Sequence, residues 1–128
     1  MQRNERGGNN SLMAVILAPA MIVAVGLVVD GGGKLSATRE AQAVADEAAR
    51  SGADAGASAE VHGDKPGSIA TTAAKAYLAD AGVNGTVTVR DGRVYVATTM
   101  TYRTKLVSII GINTLPASGE ASAQLVTS

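Results

Sequence analysis

Residues 12–33 read LMAVILAPAMIVAVGLVVDGGG. From Leu12 to Val29 the run carries no charge over 18 residues, holds Pro19 inside it, and then stops at Asp30 and three glycines. As a helix it would measure roughly 27 Å at about 1.5 Å per residue, close to the ~30 Å hydrocarbon core of a bilayer. A soluble helix this apolar needs partners on all sides. Fewer than 100 residues follow Gly33, and they are too polar to supply them. Residues 12–29 are therefore expected to span a membrane, with Leu12, Ile16, Pro19, Ile22, Val25 and Val29 in the anchor. Proline is tolerated in such a helix because neighbouring groups re-satisfy the freed carbonyl. Ala14 with Ala18, and Ala20 with Ala24, are small pairs four apart that permit close helix approach.

The flanks bear on processing and orientation. The run is longer than the about 7–15 residues of a signal-peptide core. No good A-x-A site follows it, Leu35-Ser36-Ala37 being the nearest candidate. A retained anchor is expected. Arg3 and Arg6 precede the run, offset by Glu5, whereas acidic residues slightly outnumber basic ones after it. That bias predicts a cytoplasmic tail over residues 1–11 and an exported C-terminal part.

Composition narrows the chemistry. The net charge is zero, so the basic face that phosphate binding requires is not indicated, and no nucleic-acid partner is expected. There is no cysteine, which excludes disulfides, thiolate metal sites and a thiol nucleophile. Three Tyr are the only aromatics, so any core must be made of Val, Ile, Leu and Ala.

Beyond the run, Asp30 falls at the outer interface, and Gly31–Gly33 are expected to loosen or break the helix. Residues 34–58 then read as a helix. Ala37, Ala41, Val44, Ala48, Ser51 and Ala55 form one thin apolar stripe, fit to pack against its own domain or against neighbouring copies. Residues 30–62 are read as a juxtamembrane hinge plus this helix, and residues 63–128 as a small exported domain. Within it, Asp64 or Ser68 is expected to cap a helix that has Pro66 in its first turn. That helix has Ile69, Ala73, Ala76 and Tyr77 on one face and ends at Gly82 or Gly85. TVTVR, Asp91-Gly92 and RVYVATTMTYR form a strong hairpin signal. Residues 118–127, with Ala121, Ala123 and Leu125 alternating, predict a third strand. The fold class is α+β: a long N-terminal helix, then one helix on a three-stranded antiparallel sheet. Between strands two and three, residues 106–116 are long and apolar for a loop. Leu106, Val107, Ile109, Ile110, Ile112 and Leu115 either fold back over the core or form an exposed patch for a partner subunit or the membrane surface.

Several of these residues carry a family resemblance. Arg6-Gly7, the apolar span with its proline, Asp30 with Gly32, and Gln42-Ala43-Val44-Ala45-Asp46-Glu47-Ala48-Ala49-Arg50-Ser51-Gly52-Ala53 resemble the N-terminal region of TadE/TadG-like pilus-assembly proteins. The tail, TYRTKLVSIIGINTLPASGEASAQLVTS, is similar to that of such small proteins. The resemblance implies a pilin-like fold and marks Asp30, Gly32, Gln42, Asp46 and Gly52 as motif residues. Processing of the superfamily's kind would fall after Gly7 or Gly8, but Leu12 or Met13 then stands where the superfamily carries a glutamate, a departure from its pattern that speaks against such processing.

Candidates for catalysis are few. His62, the single histidine, lies in a Gly- and Ala-rich linker, where a solvated side chain is expected. Gly31–Gly33 lack the Gly-Lys-Ser/Thr of a phosphate loop. No metal-ligand cluster, cofactor or small-molecule substrate is expected, and the chain does not read as an enzyme. The expected function is a membrane-anchored minor pilin or pilin-like subunit of a Tad/Flp pilus, with the membrane, other pilus subunits or copies of itself as partners. The alternatives are a self-polymerising major subunit and a membrane-tethered binding module.

Overall fold

The computed structural model describes residues 3–125, with side chains from residue 8 onward. One uninterrupted helix, α1, runs Arg3–Val61. Its 59 residues measure about 88 Å at ~1.5 Å per residue. Neither Pro19 nor Gly31–Gly33 breaks it, so the glycine run does not interrupt the helix as the sequence suggested. The helix holds there because a second part of the chain packs on it, as described below. The segment is long and apolar enough to cross a membrane, with a mean hydropathy of 2.8 over an 18-residue window. Its large side chains, including Leu12, Ile16, Ile22, Val25 and Val29, are exposed along the rod.

Helix α2 spans Pro66–Ala81. Pro66 takes the first helical position, where its missing N–H costs nothing. The capping residue is Lys65 in extended backbone, with no side-chain bond, rather than Asp64 or Ser68. Gly82 ends the helix in the left-handed region at φ 68°, and Val83 N–H donates to the Leu78 carbonyl. The buried face is Ala70, Ala74 and Leu78, one residue on from the expected Ile69, Ala73 and Tyr77. Ile69 and Ala76 are exposed, and Tyr77 is half-buried.

Strands β1 (Asn84–Arg90), β2 (Arg93–Arg103) and β3 (Thr114–Gln124) form an antiparallel sheet in the order β1-β2-β3. Asp91 and Gly92 both have positive φ, 51° and 70°. That is the backbone of a type I′ turn, and it places Arg90 opposite Arg93. β3 begins four residues before the expected start. Leu115 and Pro116 therefore lie in the strand, opposite Tyr102 and Thr101, and not in the apolar loop. Pro116 is tolerated because β3 is an edge strand. Val126 and Thr127, the expected end of this strand, lie outside the described residues.

Both helices cover one face of the sheet. The core joins Ala45, Ala48, Ala49 and Ala53 of α1 to Ala70, Ala74 and Leu78 of α2, and to Val94 and Val96 of β2. Leu125 closes it. The α1 stripe is thus displaced from the expected one. Ala41 and Ala48 are fully buried, but Ala37, Val44, Ser51 and Ala55 are only half-buried, and Ala45, Ala49, Gly52 and Gly56 complete the buried face. A face of alanine and glycine contributes little area per residue. It lets backbones approach instead: a Cβ on Gly52 would crowd the Ala70 carbonyl at 2.9 Å and Val94 at 3.3 Å.

Candidate functional site

The structure concentrates its specific polar contacts along α1, at two levels that match two motif residues. At the lower level stands Asp30. It follows the apolar run by one residue, yet it is 1% exposed. The sequence placed it at the outer interface, and the fold shields it from solvent there. The connection between β2 and β3 folds down over it. Lys105 N–H donates to Oδ1 at 2.7 Å, while Leu106 N–H and Val107 N–H donate to Oδ2 at 2.9 and 2.7 Å. The Tyr102 hydroxyl adds a longer contact to Oδ1 at 3.4 Å. Burial pushes the Asp30 carboxyl up, but the three backbone donors and the hydroxyl outweigh it and hold it below its ordinary value. The same pair raises Tyr102, through burial first and then the Asp30 charge and hydrogen bond.

Small residues of α1 make room for this clamp. A Cβ on Gly33 would overlap the Tyr102 ring, and one on Gly26 would press on Leu106 Cβ at 3.2 Å. Gly31 and Gly32 have open space around them. The packing role within the triplet thus belongs to Gly33, while the motif residue Gly32 makes no such contact.

At the upper level Gln42 meets the edge of β3. Its Nε2 donates to the Glu120 carbonyl at 2.6 Å, and Glu120 N–H donates to its Oε1 at 3.1 Å. Nε2 also reaches Asp46 Oδ1 at 3.3 Å. One turn of contact away, Gly119 lies directly against the α1 backbone, where a Cβ would overlap Ala41 and Gln42. The buried Thr98 hydroxyl donates to the Ala41 carbonyl at 2.7 Å and, more weakly, to the Gly119 carbonyl at 3.3 Å. Among the described residues every buried side-chain polar atom has a partner. The motif residues Asp30, Gln42 and Gly52 therefore lie where α1 meets the rest of the chain, while Asp46 is exposed and touches only Gln42 of its own helix.

The apolar connection divides between its two expected roles. Residues Val107–Ile110 form one short 3-10 turn, and Val107 is buried against α1. Leu106, Ile109, Ile110 and Ile112 remain exposed. Gly7 and Gly8 sit inside α1, with open space around Gly8. His62 bonds the Ser58 carbonyl through Nδ1 at 2.8 Å and is exposed. Tyr102, Gly26, Gly33, Thr98, Gly119 and Glu120 escaped the sequence reading, because their partners lie tens of residues away and no local pattern marks them.

Both oxygens of Asp30 are taken up by backbone donors, which leaves no lone pair aimed into a cavity. Among the described residues no three His, Asp or Glu side chains gather as metal ligands would. The outer sheet face holds a shallow depression of about 210 Å³ lined by Thr86, Thr88, Arg90, Tyr95 and Glu120. There the Arg90 guanidinium stacks 4.5 Å from the centre of the Tyr95 ring.

No curated protein and no solved structure matches the chain. A family match falls on α1 and stops before α2. It takes in the apolar run, Asp30, Gln42, Asp46 and Gly52, and leaves out the tail that also looked similar. Residues 8–55, the rod on which both polar levels are built, match the family model described as putative Flp pilus-assembly TadE/G-like.

Proposed function

We propose that this protein is a structural component of a Tad/Flp-type pilus system, a membrane-anchored minor pilin or pilin-like assembly subunit. The observation that carries the reading is the coincidence of the family match with the residues that weld the rod to the small domain. On this reading residues 12–29 anchor the chain, with residues 1–11 on the cytoplasmic side and the sheet exported. The chain acts by shape and contact rather than by catalysis, without a cofactor. Its partners are the membrane and other pilus subunits.

The alanine face of α1 is closed to contact between copies, because Ala41, Ala45, Ala48 and Ala49 are buried beneath the chain's own sheet and α2. The apolar run, with Ala14, Ala18, Ala20 and Ala24, is what remains open for contact between subunits. The test is deletion of the gene in its native cells, followed by recovery of sheared filaments. Photo-crosslinking from position 25 in the complemented strain would supply the partners. Loss of filaments together with crosslinks to pilus components is expected. Normal filaments and no such crosslinks would overturn the proposal. Filaments formed by the purified protein alone would make it the main filament subunit.

A further inference from the structure

The 3-10 turn Val107–Ile110 lies at an unexpected height. It lies beside Ile22, Val23 and Gly26 of α1, with which it lines a small apolar cleft of about 70 Å³. Those positions are inside the apolar run, and Ile22 is seven residues below its end at Val29, or about 10 Å along the axis. If residues 12–29 cross the bilayer, this connection cannot stand in water above it.

Its composition and bonding suit a hydrocarbon environment. Residues 106–112, LVSIIGI, carry no charge. Ile109 and Ile110 are 79% and 63% exposed, and they continue the exposed apolar surface of the rod. Irregular backbone in lipid needs its polar groups satisfied internally. Here Asp30 takes the N–H groups of Lys105, Leu106 and Val107. Ile109 N–H goes to Leu106, Gly111 N–H to Ser108 and Ile112 N–H to Val107, each to a carbonyl. Thr104 N–H goes to the Asn113 carbonyl, and the Thr104 hydroxyl donates to the Ile112 carbonyl. Ser108 folds its hydroxyl back onto the Lys105 carbonyl at 3.3 Å. The charges stand beyond this segment, on Arg103, Lys105 and Lys34, all exposed. Cations there suit the level of lipid headgroups.

We infer that residues 106–112 are a membrane-inserted finger, immersed beside the span in the leaflet on the side of the sheet, with Asp30 as the acceptor that lets their backbone leave water. The inference rests on residues 12–29 being a membrane anchor, but not on a role in a pilus.

The chain has no cysteine, so single positions can be labelled in the full-length protein. Ile109→Cys and Ile110→Cys would carry an environment-sensitive fluorophore, in vesicles of phosphatidylcholine and phosphatidylglycerol. Ile16→Cys reports on the span and Thr88→Cys on the outer sheet face. Quenchers are doxyl groups placed on the lipid tails near the headgroup, and aqueous iodide. The finger predicts blue-shifted emission at 109 and 110, with lipid quenching several-fold above that at 88 and iodide quenching several-fold below it. Iodide access at 109 and 110 with lipid quenching at 16 intact would overturn the finger and leave the anchor. Protection from both quenchers would mean that a second copy or another protein surface covers the turn, and would overturn it too. Loss of lipid quenching at 16 would remove the anchor, and the finger with it.

Discussion

Gln42 stands to Glu120 as a neighbouring strand would, donating to its carbonyl and accepting from its N–H with a single side-chain amide. β3 is an edge strand, and an open edge invites pairing with another chain. A helical glutamine closes it at one residue. Replacing Gln42 with Ala leaves both Glu120 backbone groups to water. A loss of about 1–2 kcal/mol is expected for two hydrogen bonds, with faster amide exchange at Glu120. Gln42→Glu retains the acceptor but sets a carboxylate oxygen against the Glu120 carbonyl and beside Asp46, so it should not restore the pair. Unchanged exchange at Glu120 in the alanine variant would contradict this role.

Asp30 makes the clamp sensitive to acid in a defined direction. Its carboxyl is held below its ordinary value, so its contribution is complete above about pH 5 and is lost as pH falls through the lowered folded value, beneath the usual ~3.9. At neutral pH the clamp stays shut. Amide exchange at Lys105, Leu106 and Val107 should rise in strong acid before exchange in the sheet does. Asp30→Ala should produce the same release at pH 7, and Asp30→Asn a partial one. A clamp that opened on raising the pH from 5 to 8 would contradict the assignment.

Gly119 tolerates no side chain. A Cβ there meets the backbone of Ala41 and Gln42, which has no rotamer with which to yield. Gly119→Ala should cost on the order of 1–3 kcal/mol by overpacking, and Gly119→Val more. Gly31→Ala, in open space and helical, should be neutral or stabilising by up to about 1 kcal/mol. Thermal unfolding in detergent would rank the three.

Leucine substitutions separate folding from assembly. Ala48 is fully buried, so Ala48→Leu should destabilise by roughly 1–3 kcal/mol, and any loss of filaments would follow from that. Ala43 is exposed on the same helix, and Ala43→Leu should stay within about 0.5 kcal/mol. Ala18→Leu, in the anchor, should leave the sheet's stability alone while weakening contacts between subunits. Normal unfolding of Ala48→Leu would mean that the core has room the structure does not show.

Much of this architecture was legible because its signals are local. An 18-residue apolar run, Pro66 ahead of a periodic segment, and Asp-Gly between alternating strands each act within a few residues. What the sequence hid depends on distant partners. Nothing around Asp30 announces donors 75–77 residues away, and a charge beside a membrane segment reads most simply as solvated. Nor does Gly33 reveal that Tyr102 lies over it, so three glycines looked like a break in a helix that long-range packing keeps whole. In α2 the buried face moved by one residue because alanines on adjacent positions give the periodicity almost no contrast.

With residues 12–29 as the proposed anchor, a rod without a joint would turn the bilayer into an orienting device. From Val29 to Val61 the helix continues for about 48 Å at ~1.5 Å per residue. Cant of the span by ten degrees would swing its far end sideways by about 8 Å, and tilt in turn answers to hydrocarbon thickness and to neighbouring helices. On that proposal the posture of the sheet, and hence what its outer face can reach, would be set by the lipid and protein packed around residues 12–29.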